Sequence, residues 1–216
     1  MTKQKTIDMT EGSLPKNILF FSLPLMLTQM LEVLFNLSDV AIAGKYADYI
    51  ALGAVGSTTL LVSLFTGILI GVGSGVNVRV AHRLGAQKAD GDTSATARTI
   101  YTAFVVCGVI GIIVCFICGI FARPMLEALN TKDELIDGAV MYLHIYSLGM
   151  PAMALYNFGN GVLSACGDTK RPLVYLSAAG VLNVLLNLFF VIVCKMAADG
   201  VALASVIAQY VSAVLI

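Results

Sequence analysis

Four polar side chains interrupt a long apolar stretch near the start of the chain: Gln29, Glu32, Asn36 and Asp39. Their spacings are three, four and three residues. At about 100° per residue they fall within roughly 80° of one another, so they form one polar stripe on a helix. A carboxylate near a bilayer centre costs at least about 2.5 kcal/mol, so neither Glu32 nor Asp39 is expected to face lipid. Such a stripe faces other helices or a water-filled cavity. With little water around it, a carboxylate favours a bound proton or a small cation. Sodium prefers hard oxygen ligands, which Asp39, Asn183 and Asn187 can supply. This is the chemistry of ion-coupled transport.

Two further stripes carry amides. Asn157, Asn160 and Ser164 repeat at three and four residues, and Asn183 and Asn187 lie one turn apart. For Asn157 and Asn160, bonding between helices and lining a cavity are both open. Ser57, Thr58, Thr59, Ser63 and Thr66 are expected to bond their own helix backbone. Enzyme chemistry has no support: there is no nucleophile–base pair, no HExxH and no phosphate loop. Gly71-Val72-Gly73-Ser74-Gly75 is glycine-rich but lies mid-helix and reads as packing. Cys115 and Cys118 form a CxxC inside an apolar run without a nearby His, so no metal or disulfide is assigned. No cofactor is expected.

The elements that must hold these residues are membrane helices. The chain has 216 residues, 58% hydrophobic and only 12% charged. Soluble domains carry about 25% charged residues. Net charge is zero, which gives no reason to expect nucleic acid as a partner. Six apolar segments are read. The first is 18–43, 26 residues or about 39 Å as helix, enough to cross about 30 Å of hydrocarbon. The others are 50–80, 95–121, 135–165, 172–194 and about 199–216. A polar loop is expected at 81–94, a stop at Arg123-Pro124, a capping box at Thr131 and Glu134, and a kink at Pro151. The fold class is therefore all-α, a polytopic transmembrane bundle. Its parts are a cytoplasmic segment, 1–17, and a transmembrane unit, 18–216. The N-terminus lacks a cleavable signal pattern. The last segment meets the chain end without a polar flank, as in a fragment.

Loop charges set the expected orientation. Lys3, Lys5, Lys16, Arg79, Arg83, Lys88, Arg98, Lys170 and Arg171 fall on the N-terminal side. Lys45, Arg123, Lys132 and Lys195 fall on the other. Nine against four puts the N-terminus in the cytoplasm of a plasma or inner membrane.

Ordered motifs add a family. Leu23-Pro24, Phe35-Asn36-Leu37-Ser38-Asp39 with Gly44, and Ala54-Val55-Gly56 come first. Arg83-Leu84-Gly85-Ala86 follows, then Gly167-Asp168-Thr169-Lys170-Arg171-Pro172, Asn183 to Asn187, and Gly200-Val201-Ala202-Leu203-Ala204-Ser205. The set resembles the N-terminal lobe of the multidrug and toxic compound extrusion (MATE) family. The resemblance implies a twelve-helix antiporter of two six-helix lobes around a cleft. It would export organic, often cationic, compounds in exchange for protons or sodium, and its partner here would be an absent C-terminal lobe. By the same resemblance Asp39 matches a first-helix carboxylate tied to coupling, and Asn183 and Asn187 match an Asn-x-x-x-Asp pair whose second member is Asn here. Ser205 replaces a usual threonine, and Glu32 stands where related sequences often have Gln. A lipid-linked saccharide flippase shares the architecture, but its pyrophosphate cargo calls for cationic residues in helix centres, which this chain lacks. A receptor or scaffold without transport fits the polar stripes poorly.

The orientation is testable. In a background without native cysteines, single cysteines at Lys88 and Lys132 should label differently with an impermeant thiol reagent on intact cells. Labelling at position 132 but not 88 is expected; the reverse would invert the topology.

Overall fold

Hydrocarbon offers backbone amides no partners, so an apolar chain must pair them within helices or a closed barrel. The computed structural model describes residues 13–216, and they are helical almost throughout, with no strand among them. In chain order the elements are α1 (Leu14–Tyr46), α2 (Tyr49–Asp90), α3 (Thr93–Ile120), α4 (Ala122–Ala128), α5 (Asp133–Ser147), α6 (Met150–Ala165), α7 (Lys170–Leu188) and α8 (Ala198–Leu215). A π-helical turn, Phe189–Val193, prolongs α7. Most of the 1–17 segment, including Lys3 and Lys5, lies outside the described residues.

The six expected spans are recovered. α1, α2, α3, α7 with its π turn, and α8 are each long and apolar enough to cross a membrane. α5 and α6 make the sixth as a pair bent by 46°. The break falls at Leu148-Gly149, two residues before the expected kink. Pro151 has no N–H and its ring would strike the carbonyl four residues back, so it is accommodated in the first turn of a new helix. The Tyr210 hydroxyl of α8 donates to the Leu148 carbonyl at 3.0 Å, which satisfies a backbone group freed at the break.

Two local expectations need correction. The loop expected at 81–94 is helix as far as Asp90, leaving only Gly91 and Asp92 as a connection. Residues 81–88 are polar yet rich in Ala, Leu, Gln, Arg and Lys, all good helix formers, and contain no proline. α2 is thus 42 residues, about 63 Å long, and projects beyond the hydrocarbon with His82 on its helical extension. Gly91 closes it at φ +71°, a conformation that costs glycine little. Asp92 caps α3 by accepting from the Ala95 amide at 3.1 Å, and the Ser94 hydroxyl and that amide hold its carboxyl below the usual carboxylate range. The capping box at Thr131 and Glu134 does not form. Lys132 occupies the cap without a side-chain bond, and Asp133 and Glu134 face the positive end of the helix dipole instead. The stop at Arg123-Pro124 falls where expected, with α3 ending at Ile120. Arg123-Pro124 opens the short α4, where Arg123 pairs with Asp137 of α5.

Lipid and side chains are equally apolar, so helices in a bilayer associate by close packing of small residues. The tightest crossing here is α2 on α6. A Cβ placed on Gly161 would lie 2.5 Å from the Gly73 carbonyl, and one on Gly73 would lie 2.7 Å from the Asn157 carbonyl. Both obstacles are backbone and cannot step aside. Val76, Val80 and Cys107 pack at this crossing, and a larger core beyond it collects Phe65, Leu69, Val114, Leu126, Leu143 and Met150. All five cysteines are free thiols.

Gly161→Ala is expected to lower the melting temperature of the detergent-solubilised protein by several degrees, an overpacking cost of about 1–3 kcal/mol. Gly56→Ala, where an added Cβ meets nothing within 4 Å, should leave it nearly unchanged. Equal effects would mean that the α2–α6 crossing is looser than described.

Candidate functional site

Three helices bring polar atoms to one buried point. α1 presents Asp39, α7 presents Asn183 and Asn187, and α8 presents Ser205. The Asn187 amide donates to one Asp39 carboxylate oxygen at 2.6 Å, and the Ser205 hydroxyl donates to the other at 2.7 Å. The Asn183 amide donates to the Ser205 oxygen at 3.1 Å, and Asn187 donates its second hydrogen to the Asn183 carbonyl oxygen at 3.2 Å. The ring of bonds is closed. Asp39 is 3% exposed and Asn187 is 0% exposed.

What this network lacks is a cation. Among the described residues no Lys or Arg pairs with Asp39. The carboxylate is held by neutral donors alone, and the Asn187 side-chain oxygen beside it is buried with no hydrogen-bond partner. A buried charge is tolerated when it is paired or neutralised. A proton or a small hard cation would do this, with the free amide oxygen as a further ligand.

The network forms one end of a cavity of about 80 Å³. The rest of its polar lining is Glu32 and Asn36 of α1, Thr66 of α2, Tyr146 and Tyr156 from the bent pair, and Gln209 and Ser212 of α8. One Glu32 carboxylate oxygen, the Thr66 hydroxyl oxygen and the Gln209 carbonyl oxygen are buried without partners. Phe35, Met153 and Leu176 supply apolar walls. The Phe35 ring lies against Gly180, where any Cβ would collide with it. Tyr156 is oriented by donating its hydroxyl to the Pro172 carbonyl at 3.0 Å.

The MatE family profile matches residues 24–189, which include all of the site except its α8 residues. The chain belongs to the MATE family. It is 34% identical over 208 residues to the probable multidrug resistance protein YpnP of Bacillus subtilis strain 168, covering 95% of this chain and 45% of that protein. It is 24% identical over 210 residues to the probable multidrug resistance protein NorM of Thermotoga maritima, covering 92% of this chain and 42% of that one. A crystal structure of MATE in the bent conformation superposes with a TM-score of 0.89 at 21% identity, over 98% of this chain and 46% of that chain. The chain thus spans about half the length of these relatives.

Within this MATE lobe the predicted site residues divide. Glu32, Asn36, Asp39, Asn183 and Ser205 line the cavity, and Asn187 lies behind it in contact with Asp39. Gln29 is exposed at the N-terminal end of the stripe and does not line it. Asn157 and Asn160 do not line it either. Asn157 donates to the Met153 carbonyl at 3.0 Å, and Asn160 accepts from Ser164 at 3.3 Å, both within α6. Neither bonding between helices nor lining the cavity is therefore seen for them; Asn157 packs at the crossing with α2. Ser57, Thr58 and Thr59 bond their own helix as expected. Ser63 and Thr66 are the exceptions. Gln209 was missed, although a glutamine alone in the apolar run of α8 is itself a signal. Tyr146 and Tyr156 were missed because a tyrosine reads equally well as core or interface.

If both contacts to Asp39 are as close as described, a double-mutant cycle should show it. Ser205→Ala is expected to cost about 1.5–3 kcal/mol with Asp39 present, the range for bonds to a charged group, and much less in an Asp39→Asn background. Unfolding of the four proteins in detergent gives the coupling, and a value near zero would remove the Ser205 bond from the description.

Proposed function

We propose that this chain is the N-terminal lobe of a cation-coupled antiporter that exports organic, often cationic, compounds across the plasma or inner membrane, with its N-terminus in the cytoplasm. The observation that carries this reading is the Asp39 carboxylate, buried among neutral donors from two other helices and without a cationic partner. A proton or sodium ion is the counter-charge it lacks. Binding that ion changes the best arrangement of α1 against α7 and α8, so an ion gradient can bias a two-state element.

The cargo side of the reading rests on the rest of the cavity. Its lining holds two carboxylates, Glu32 and Asp39, and no Lys, Arg or His. That favours a cation over an anion. A cavity of about 80 Å³ is well below the roughly 300–1,000 Å³ of drug-sized sites. The cargo therefore needs a cleft completed by a second lobe, in keeping with relatives about twice as long. The absence of basic residues also weighs against a pyrophosphate-linked saccharide as cargo.

In the whole transporter, Asp39→Asn keeps size and hydrogen bonding but fixes the neutral state. It should reach the membrane in normal amount and lose dye efflux driven by an imposed proton or sodium gradient. Glu32→Gln should be milder. With expression matched by blot, wild-type efflux in Asp39→Asn, or a worse defect in Glu32→Gln, would mean that the coupling carboxylate is not Asp39.

A further inference from the structure

A second concavity lies on the opposite side of α2 from the Asp39 network, between α2 and α3. It is an open groove of about 460 Å³. Val72, Val76, Ala103 and Val106 give it apolar walls, and Arg79 and Arg98 line it beside them. Arg79 lies eleven residues before the end of α2, and Arg98 five residues after the start of α3. α2 carries no charged residue from Tyr49 to Arg79, and α3 carries none from Arg98 to Ile120. Each guanidinium therefore marks the edge of an apolar run, where hydrocarbon gives way to headgroups.

Neither arginine has its charge answered. Among the described residues neither is in an ion pair, and no carboxylate lines the groove. Arg98 makes only a long 3.4 Å contact to the Ser94 hydroxyl. Two like charges facing one cleft repel, and an anion between them removes that cost. Guanidinium groups match phosphate oxygens in geometry as well as charge. Gly75 keeps the α2 wall flat: a Cβ there would meet nothing within 4 Å. The floor is closed by the packing of α2, α3 and α6 around Val76, Val80 and Cys107. From Val72 to Arg79 the apolar wall runs about 10 Å along the helix.

We propose that the α2–α3 groove is a binding site for one anionic phospholipid, its phosphate on Arg79 and Arg98 and the upper part of an acyl chain along Val72, Val76, Ala103 and Val106. The groove opens between two membrane spans, so its occupant comes from the bilayer. The paired guanidiniums select a headgroup with net negative charge. This site is separate from the Asp39 cavity and does not depend on the transport reading.

The test uses the whole transporter in detergent, exposed to equal amounts of phosphatidylglycerol and phosphatidylcholine and examined by native mass spectrometry. Phosphatidylglycerol should be retained in preference. Arg79→Gln with Arg98→Gln should weaken its retention about tenfold or more, since each basic residue near an anionic headgroup contributes on the order of 1 kcal/mol. Arg79→Lys with Arg98→Lys should keep part of it. Gly75→Phe puts a ring into open space and should displace the lipid with both arginines intact. Inorganic phosphate in excess should not compete, because it lacks the acyl chain. Equal retention of phosphatidylcholine, unchanged retention in the glutamine pair or in Gly75→Phe, or displacement by inorganic phosphate would each overturn the proposal.

Discussion

A carboxylate with no cation beside it is the constraint that the rest of this lobe serves. Asp39 is taken out of water by three helices, and each supplies only what a neutral dipole can give. The two bonds to its oxygens, from Asn187 and Ser205, are charge-assisted and short. Removing either leaves a buried acceptor unmatched, which costs more than a surface hydrogen bond contributes. α1, α7 and α8 are therefore tied together at one point. The π turn that ends α7 and the positive φ of Lys195 bring the chain round to α8, whose buried small residues Ala202, Ala204 and Ser205 allow close approach.

The other half of the lobe acts as a frame. α2 and α6 touch backbone to backbone at Gly73 and Gly161, and α3 packs beside them. Glycine packing makes this half stiff, because its contacts have no side-chain freedom to absorb a shift. α1 has a different character. Its Pro24 removes one helical hydrogen bond, and most of its large apolar side chains are exposed on the lobe surface, among them Leu19, Phe20, Met30 and Val33. A helix with fewer packing obligations and a broken ladder costs less to rearrange. Asp39 thus sits on the least buried of the spans.

Much of this was legible in the sequence. The three-four-three spacing from Gln29 to Asp39 placed Glu32, Asn36 and Asp39 on one face, and a helical period needs no tertiary information. Asn183 and Asn187 were legible for the same reason. Gln29 failed at the end of the same stripe because angular position says nothing about height along the helix, and the cavity stops short of it. Asn157 and Asn160 show the other limit. An amide facing a neighbouring helix and an amide facing a cavity share one periodicity, and only the position of Gly73 opposite decides between them. Residues 81–90 misled because polarity was read as loop. Once a helix leaves the bilayer its polarity changes while its backbone continues, and propensity was the better guide.

The carboxylate count also bears on how such a lobe works. The family pattern resembled here ends its fifth-span pair in Asp, where this chain has Asn187. Glu32 is the other carboxylate of the cavity, and it is tempting to treat it as the same charge moved. The geometry argues against equivalence. Position 187 touches Asp39 at 2.6 Å, and two carboxylates at that distance cannot both ionise and would share one proton. Glu32 lies two turns away on α1, about 10 Å along the axis, with its own unpaired oxygen near Thr66 and Gln209 in the cavity lining. A group at that distance binds its own cation nearly independently. The substitution therefore replaces a coupled pair with two separate acceptors, one inside a closed network and one facing the space where cargo would lie. If the function proposed above holds, an ion at Asp39 and a cationic cargo at Glu32 would not compete for the same oxygen atoms, and exchange between them would pass through the packing of α1.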